Sequence, residues 1–275
     1  MRDELTEDRL SSMMVGRELT DYFHKRSITP GAPVLEVDGL VADDSDAPIS
    51  FTVRAGEIVG VAGLVGAGRS ELLETICGVR KAHGGTITVD GRHVPLGSPR
   101  RALESGIALV PEDRHRQGLN LNGCVRENVA MGTWPLLSAQ RRRERTISQN
   151  AVRQLRIRTD GIEASIRSLS GGNQQKVVIA RCLTREPKVM LLDEPTRGVD
   201  VGAKSEVFEI MGAMLERGIA IVMVSSDMLE ILGLSDRVLV MHEGRLVGEL
   251  TRAEATEQRI ALLSAGGTVE RAAAS

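Results

Sequence analysis

Two short segments in the second half of the chain carry residue types that suit phosphate chemistry. The first, Leu169–Gly172, places a hydroxyl and two glycines at the start of a helix-like pattern. A helix N-terminus presents unpaired amides and the positive end of its dipole, so this segment could bind an anion. The second, Asp193 and Glu194, follows the apolar run Val189–Leu192. That run predicts a buried strand that delivers two carboxylates at its carboxyl end.

A glycine-rich loop, Gly63–Ser70, lies earlier in the chain between the strand-like run Glu57–Ala62 and the helix-like run Glu71–Cys77. Glycines let backbone amides converge on phosphate oxygens, and the Ser70 hydroxyl is placed to reach Mg²⁺. Arg69 occupies the position where such loops normally carry lysine. The planar guanidinium of arginine keeps the positive charge of lysine but not its compact ammonium group.

Each segment also has an ordinary structural explanation. Ser-Gly-Gly is common as a helix cap with a flexible turn, an acidic pair can simply end a strand, and a plain glycine-rich turn would tolerate Arg69. The three segments together, in this order, favour a nucleotide site over three coincidences.

Apolar periodicity predicts the elements that position these segments. The predicted strands are VLEVD from Val34, the alternating run 49–53, Thr86–Asp90, Ile107–Val110, Ile219–Val224 and a closing hairpin of Arg237–Met241 with Arg245–Leu250. The first of them predict an antiparallel edge that leads into a buried central strand. After Asp200, a helix carries its apolar residues on one face, which core packing explains better than a binding role. They are Val207, Ile210, Met211, Met214 and Leu215.

Residues 120–168 are more polar and helical in character, which predicts an inserted helical lobe. The run 141–145 is rich in arginine but has no interleaved aromatic residues, so a solvated helix face is favoured over a nucleic-acid or lipid surface. Trp134 is predicted to be a packing residue.

Composition narrows the class of protein. The 275 residues are 41% hydrophobic, which is enough for a core. A net charge of -2 and an aromatic content of 2% disfavour a nucleic-acid partner. Three separated cysteines fit a reducing compartment and no zinc site. No apolar run approaches the roughly 18 residues of a membrane span, so membrane association would need a partner.

The two ends of the chain share a pattern. Thr6–Leu10 followed by Met13 and Gly16 recurs, at the same offsets, as Thr256–Ile260 followed by Leu263 and Gly266. Chance similarity of two polar helices is one explanation. The other is that residues 1–26 are the tail of a preceding homologous domain. Residues 27–33 then form a linker, and 34–275 form the nucleotide-binding domain, with its helical lobe at about 120–170.

The motifs together resemble those of ATP-binding cassette (ABC) ATPases. Leu169–Gly172 resembles the signature motif, Asp193 and Glu194 resemble the Walker B motif, and Thr196–Asp200 resembles the D-loop. The resemblance implies an α/β P-loop NTPase fold of the ABC ATPase type, with a mixed central sheet, an antiparallel β edge and an inserted helical lobe. It also implies that the protein binds ATP and Mg²⁺.

Residue roles follow from the resemblance. Asp193 and Ser70 hold Mg²⁺, Glu194 polarises the attacking water, and Ser226 and Asp200 take the switch and D-loop positions of the site. The implied ATP-binding set is Gly63, Gly66, Ala67, Gly68, Arg69, Ser70, Glu112 and Asp193. The implied signature set, which contacts an ATP bound to a partner domain, is Leu169, Ser170, Gly171, Gly172, Asn173 and Gln174.

Three positions depart from the usual ABC pattern: Arg69 replaces lysine, Glu112 replaces the Q-loop glutamine, and Ser226 replaces the switch histidine. For Glu112, a charged loop after a strand is the ordinary alternative. Signature and Walker B residues are intact. We therefore expect nucleotide binding to survive better than hydrolysis at this chain's own site.

The departures and several sequence words, among them GAGRSEL, PEDR, LSGGNQQK and LDEPTRGVDVGAK, resemble the second ATPase domain of bacterial monosaccharide importers. That resemblance implies a second ABC domain, integral membrane permease subunits and, indirectly, an extracellular or periplasmic sugar-binding protein. It also implies a peripheral position on the cytoplasmic face of the plasma membrane. Two alternatives stay open: a soluble ABC ATPase without a transport role, and a regulatory half that binds but does not hydrolyse nucleotide.

Overall fold

Two β-sheets share one apolar layer in this computed structural model, which describes residues 23, 28–42, 47–133 and 141–267. In the described residues the strands are β1 (Pro33–Ala42), β2 (Ile49–Arg54), β3 (Ile58–Gly63), β4 (Ala82–Val89), β5 (Arg92–His93), β6 (Ile107–Val110), β7 (Val189–Asp193), β8 (Ala220–Val224), β9 (Arg237–His242) and β10 (Arg245–Thr251). The predicted repeat at residues 6–16 and the packing role of Trp134 lie outside the described residues.

The smaller sheet is antiparallel and has the strand order β2-β1-β4-β5. Its strand β2 alternates buried and exposed residues, as the sequence predicts for a half-buried strand. The sequence placed these N-terminal strands at the edge of the central sheet, whereas they form a sheet of their own. The reason is that β1 pairs with β2 on one side and with β4 on the other. Their apolar faces pack on the central sheet.

The larger sheet has the order β10-β9-β3-β8-β7-β6, and its neighbours are parallel except for the antiparallel edge strand β10. Strands β7 and β8 are buried along their whole length. Continuous apolar runs such as 189–192 are what a parallel strand covered on both faces requires. The predicted mixed central sheet is therefore confirmed, although its antiparallel edge is β10 and not the N-terminal strands.

The described helices are α1 (Arg69–Ile76), α2 (Pro99–Glu104), α3 (Val125–Ala130), α4 (Arg141–Gln154), α5 (Gly171–Leu183), α6 (Val201–Glu216), α7 (Met228–Leu234) and α8 (Glu257–Ser264). All five apolar residues predicted for one face of α6 are buried. Helices α2 and α7 were not predicted, because six or seven residues give too little periodicity to recognise.

The helical region between β6 and β7 has a small hydrophobic core of its own. It is formed by side chains from α3, α5 and the segments between them. They include Val125, Val129, Ile157, Ile166 and Val177. Arg126 is buried beside this core and pairs with Glu144 (2.6 Å) and Glu163 (3.1 Å). Glu144 thus turns inward from the arginine-rich run, while its neighbours 141–143 are exposed, as predicted.

The sheet brings three chain segments to one edge. Strands β3, β7 and β8 are parallel neighbours, with Val61 paired to Val224 and Val224 paired to Asp193. Their carboxyl ends therefore lie side by side, which is where open α/β sheets bind ligands. Within the described residues, no helix has the length and apolar character that crossing a membrane requires.

Candidate functional site

The glycine-rich loop connects β3 to α1 at this edge of the sheet. Gly68 caps the helix with φ 92, a left-handed conformation that glycine adopts without strain. Ala67 is buried, and its carbonyl accepts a hydrogen bond from the Gly244 amide (3.0 Å). The tip of the loop is open, since the Val65 side chain is 96% exposed. The loop therefore has an exposed tip and leads into the N-terminus of a helix, where a phosphate cradle would lie.

Ser70 and Asp193 meet beneath this loop. Ser70 Oγ donates a hydrogen bond to Asp193 Oδ1 at 3.1 Å. Burial raises the pKa of Asp193 to about 6, and the bond from Ser70 only partly opposes this effect. A hydroxyl and a carboxylate are hard oxygen donors of the kind Mg²⁺ prefers, and a bound cation would relieve the burial cost. The pair predicted to hold Mg²⁺ is thus within contact distance and fits the ion.

Glu194 follows directly, in an unusual backbone conformation. Its φ of 48 lies in the left-handed region that a side chain with a Cβ rarely adopts. The Glu194 amide donates to Val224 O (3.0 Å), which fixes the residue against the end of β8. Ser226 Oγ donates to Glu194 Oε2 at 3.0 Å. The hydroxyl at the switch position therefore contacts the carboxylate predicted to polarise water.

Arg69 contacts the segment that follows β8. Its Nη1 donates to the backbone carbonyl of Ser225 at 3.0 Å. The side chain that replaces the usual lysine thus has a protein partner already. We call Gly63, Gly66–Ser70, Asp193, Glu194 and Ser226 the phosphate-loop cluster.

A buried carboxylate that sequence reasoning missed supports this cluster. Glu230, in α7, accepts hydrogen bonds from Thr196 Oγ1 (2.6 Å), Ser225 Oγ (2.9 Å) and Lys204 Nζ (2.8 Å). Burial alone would lower the pKa of Lys204, but its bonds to Glu230 and Asp227 raise it. Glu230 joins the segments that follow β7 and β8. Its only sequence signal is an acidic residue inside the apolar run 228–234.

The signature residues lie at the start of α5. Leu169 is buried and Ser170 is the exposed N-cap residue. Asn173 Nδ2 donates to Ser170 Oγ at 2.9 Å. A Cβ on Gly172 would lie 2.4 Å from the Cβ of Ala203, so only glycine allows α5 and α6 to approach so closely. The exposed hydroxyl therefore stands on a helix end that is tightly packed from behind.

Asp200 and Gln174 form hydrogen bonds next to the signature residues. Asp200 is the N-cap of α6, where its side chain accepts from the Ala203 amide at 3.0 Å. Gln174 Nε2 donates to Ile166 O (3.2 Å), and its Oε1 lies 2.8 Å from His115 Nε2. We call Leu169–Gln174 together with Asp200 the signature cluster.

Glu112 lies after β6 and forms an ion pair with Arg197 of the D-loop. The ATP-binding role of Glu112 stays a prediction. The next residues include two that sequence reasoning missed: Arg114, which donates to backbone carbonyls of the D-loop, and His115, which contacts Gln174. No periodic signal marks them, because they lie in a single irregular turn, Arg114–Gly118.

Comparisons with known proteins agree with this arrangement. The chain is 47% identical over 275 residues to Ribose import ATP-binding protein RbsA of Yersinia pestis bv. Antiqua (strain Antiqua), a match that covers 98% of this chain and 54% of the relative. It is 42% identical over 269 residues to the protein of the same name from Caldanaerobacter subterraneus subsp. tengcongensis, covering 96% of this chain and 54% of that one. The chain thus spans about half the length of these relatives.

A solved structure of cbiO1 from Clostridium perfringens, described as part of the ABC transporter complex cbiONQ, is 26% identical with a TM-score of 0.69. The similarity covers 86% of this chain and 95% of that one, which confirms the predicted fold of the ABC ATPase type. Residues 47–197 match the ABC transporter family. With more than half of its residues inside that match, the chain belongs to the ABC transporter family.

Proposed function

We propose that this domain binds Mg-ATP and takes part in the ATP hydrolysis that drives import of a monosaccharide through a membrane permease. The observation that carries the proposal is the similarity, along nearly the whole chain, to proteins named for ribose import. The Ser70–Asp193 and Glu194–Ser226 contacts support the chemical part, since they pair a cation site with a polarising carboxylate.

In the proposed mechanism the residues of the phosphate-loop cluster divide the work. Backbone amides of residues 66–70 and the N-terminus of α1 bind the phosphate chain. Ser70 Oγ and Asp193 Oδ1 would hold Mg²⁺, which would neutralise negative charge on the phosphate oxygens. Glu194 Oε2 orients the attacking water, and Ser226 keeps that carboxylate in place through its hydroxyl.

The domain's own site is proposed to turn over slowly. Arg69 is held by the Ser225 carbonyl, and a serine at position 226 cannot exchange a proton near neutral pH as histidine does. The signature cluster, in contrast, retains all of its expected residues. We propose that Ser170 and the amides of Gly171 and Gly172 complete the ATP site of a second ABC domain that faces this one.

The same proposal names the partners. They are the second nucleotide-binding domain, integral membrane permease subunits and, indirectly, a periplasmic or extracellular sugar-binding protein. The complex would work on the cytoplasmic face of a bacterial plasma membrane. A second candidate function is a regulatory half that binds nucleotide without hydrolysing it, and the bond between Arg69 and the Ser225 carbonyl favours it.

The test uses the domain both alone and assembled. Alone, it should bind Mg-ATP weakly and turn over far below the roughly 10 s⁻¹ typical of enzymes. Assembled with its permease in proteoliposomes, ATP hydrolysis should rise on addition of a sugar-loaded binding protein. Fast turnover by the isolated monomer, or assembled activity that no sugar-loaded binding protein stimulates, would contradict the proposal. If no sugar-loaded binding protein stimulates the assembled activity, a soluble ATPase without a transport role becomes the better hypothesis.

A further inference from the structure

Arg114 lies between two segments to which sequence reasoning gave separate roles. Its Nη1 donates to the carbonyl of Arg197 (2.7 Å), and its Nη2 donates to the carbonyl of Gly198 (3.2 Å). These are successive residues of the D-loop. A planar guanidinium can donate to two neighbouring acceptors at once, which fixes their orientation as well as their distance.

The same guanidinium packs against the first residue of the signature helix. A Cβ on Gly171 would lie 2.9 Å from Arg114 Nη2 and 3.0 Å from Gly198 O. Gly171, Arg114 and Gly198 are therefore in close contact at the start of α5. Because glycine has no Cβ, it leaves room at this position for Arg114 to pack and for a phosphate to approach.

Neighbouring residues strengthen the link between this turn and both segments. Asp113 Oδ1 accepts from the amides of His115 (3.0 Å) and Arg116 (3.1 Å), which fixes the turn itself. Glu112 pairs with Arg197, and His115 reaches Gln174 in the signature helix at 2.8 Å. Residues 112–115 therefore contact both the D-loop and the signature helix.

Stability alone does not explain an arginine here. Its Nε is buried and finds no hydrogen-bond partner within the described part of the chain. An unsatisfied buried donor lowers stability, so a side chain without it would suit a purely structural position better. What the arginine adds is the two-pronged bond to the D-loop.

We propose that Arg114 is a positioning residue that fixes the D-loop against the first turn of the signature helix. In that arrangement Ser170 and the Gly171 and Gly172 amides keep one geometry towards a nucleotide held by a facing domain. Preorganised donors gain their effect from not having to reorganise during the reaction. This inference rests on the proposed function, because it concerns the site that the signature cluster completes.

The first test measures position directly, on this chain. Hydrogen exchange is followed in peptides covering 169–176 and 195–201 for wild type, Arg114→Ala, Arg114→Lys and Arg116→Ala. Arg116 is an exposed residue of the same turn and serves as the matched control. We expect Arg114→Ala to speed exchange in both segments about tenfold, as for the loss of a charged hydrogen bond. Arg116→Ala should leave both segments unchanged.

The second test uses the assembled transporter. Arg114→Ala should lower the ATPase kcat about tenfold or more while KM for ATP stays within about twofold, because the phosphate loops are untouched. Arg114→Lys, which keeps the charge but not the fork, should fall between Ala and wild type in both tests. This variant also keeps the inference testable if Arg114→Ala fails to fold.

Two results would overturn the inference. One is unchanged exchange in both segments of a folded Arg114→Ala, and the other is wild-type behaviour of Arg114→Lys in both tests. Ser170→Arg is measured in the same ATPase assay. If Ser170→Arg leaves the ATPase intact, the proposed partner site fails, whereas the exchange result still decides the positioning role of Arg114.

Discussion

The phosphate-loop cluster and the signature cluster hold their functional groups in different ways. In the phosphate-loop cluster, side chains contact one another or nearby backbone: Ser70 with Asp193, Ser226 with Glu194, and Arg69 with the Ser225 carbonyl. In the signature cluster, the groups proposed to meet a phosphate are the exposed Ser170 hydroxyl, which also accepts a hydrogen bond from Asn173 Nδ2, and the amides of Gly171 and Gly172. Buried neighbours such as Leu169 pack the helix end from behind.

This difference bears on how each cluster responds to a change of residue type. A site made of side-chain chemistry changes as soon as one residue type changes, as at Arg69 and Ser226. A site made of backbone amides depends on packing, because almost any residue supplies an amide but only glycine permits the approach at Gly172. Under the proposed function, the chain would offer a weakened ATP site of its own and a complete signature surface for a second domain.

The largest expected effect comes from blocking the signature cluster. Ser170→Arg places a long cationic side chain where the hydroxyl and amides would meet a γ-phosphate. Each preorganised donor contributes on the order of 10² to 10³ in rate, so we expect transport and most ATPase activity of the assembled transporter to be lost. Transport and ATPase assays on the same preparation measure both.

The control for that variant is Ser168→Arg, on the exposed turn just before the helix. It should keep most activity. The affinity of the isolated domain for Mg-ATP should be the same in wild type and Ser170→Arg, because the phosphate loop is elsewhere in the chain. Persistent transport, or a folded variant that loses its own ATP affinity, contradicts the division between the two clusters.

A smaller effect concerns the ionisation of Asp193 in the metal-free protein. Its folded-state pKa of about 6 lies above the ordinary value of 3.8. A raised carboxyl pKa stabilises the fold below the ordinary value, and this stabilisation is lost as pH rises from about 4 through about 6. Asp193→Asn, which cannot ionise, should therefore be more stable than wild type at pH 7, by about 3 kcal/mol.

Denaturant unfolding with EDTA at pH 4, 5, 6 and 7 measures this difference. It should be absent near pH 4 and fully developed at pH 7. Asp160→Asn, at an exposed carboxylate, is the control and should show no such trend. A stability difference for Asp193→Asn that stays constant with pH would mean that burial of the ionised carboxylate costs nothing.

The next effect is a gain at the phosphate loop. Arg69→Lys removes the bond to the Ser225 carbonyl and restores a compact ammonium that can fold over the β and γ phosphates. We expect the dissociation constant for Mg-ATP to fall about tenfold, as for one added charge-assisted hydrogen bond. Calorimetry on the isolated chain measures it, with Arg92→Lys as an exposed control. An unchanged constant counts against the loop as a degenerate phosphate cradle.

Part of the site could be predicted from the sequence. Long apolar runs and glycine-rich turns identified β3, β7 and β8, and hence the edge where Ser70, Asp193, Glu194 and Ser226 meet. These elements are predictable because their residues are constrained on both faces of a parallel sheet. The three departures were also visible, since each is a change of residue type at a fixed position.

The supporting residues were not predictable. Glu230 looks like one acidic residue in a short apolar helix, and only the tertiary fold brings Thr196, Ser225 and Lys204 to it. Arg114 lies 83 residues from its D-loop acceptor Arg197. Contacts over such separations leave no local pattern. The separate sheet of β1, β2, β4 and β5 was missed for the same reason, since pairing partners are not encoded by alternation.

The smallest expected effect is at Glu194, and it tests whether this chain's own site turns over at all. A water-polarising carboxylate typically contributes about 10² to 10⁴-fold to the rate. Glu194→Gln keeps the size of the side chain and an acceptor for Ser226 Oγ, so the local structure should persist. If the facing site does most of the work, the total ATPase activity of the assembled transporter should change less than about twofold. Ser170→Arg in the same assay shows that a real loss is detectable. If Glu194→Gln instead removes most of the activity, the phosphate-loop cluster is a working catalytic site despite Arg69 and Ser226. Both clusters would then be required for ATP hydrolysis.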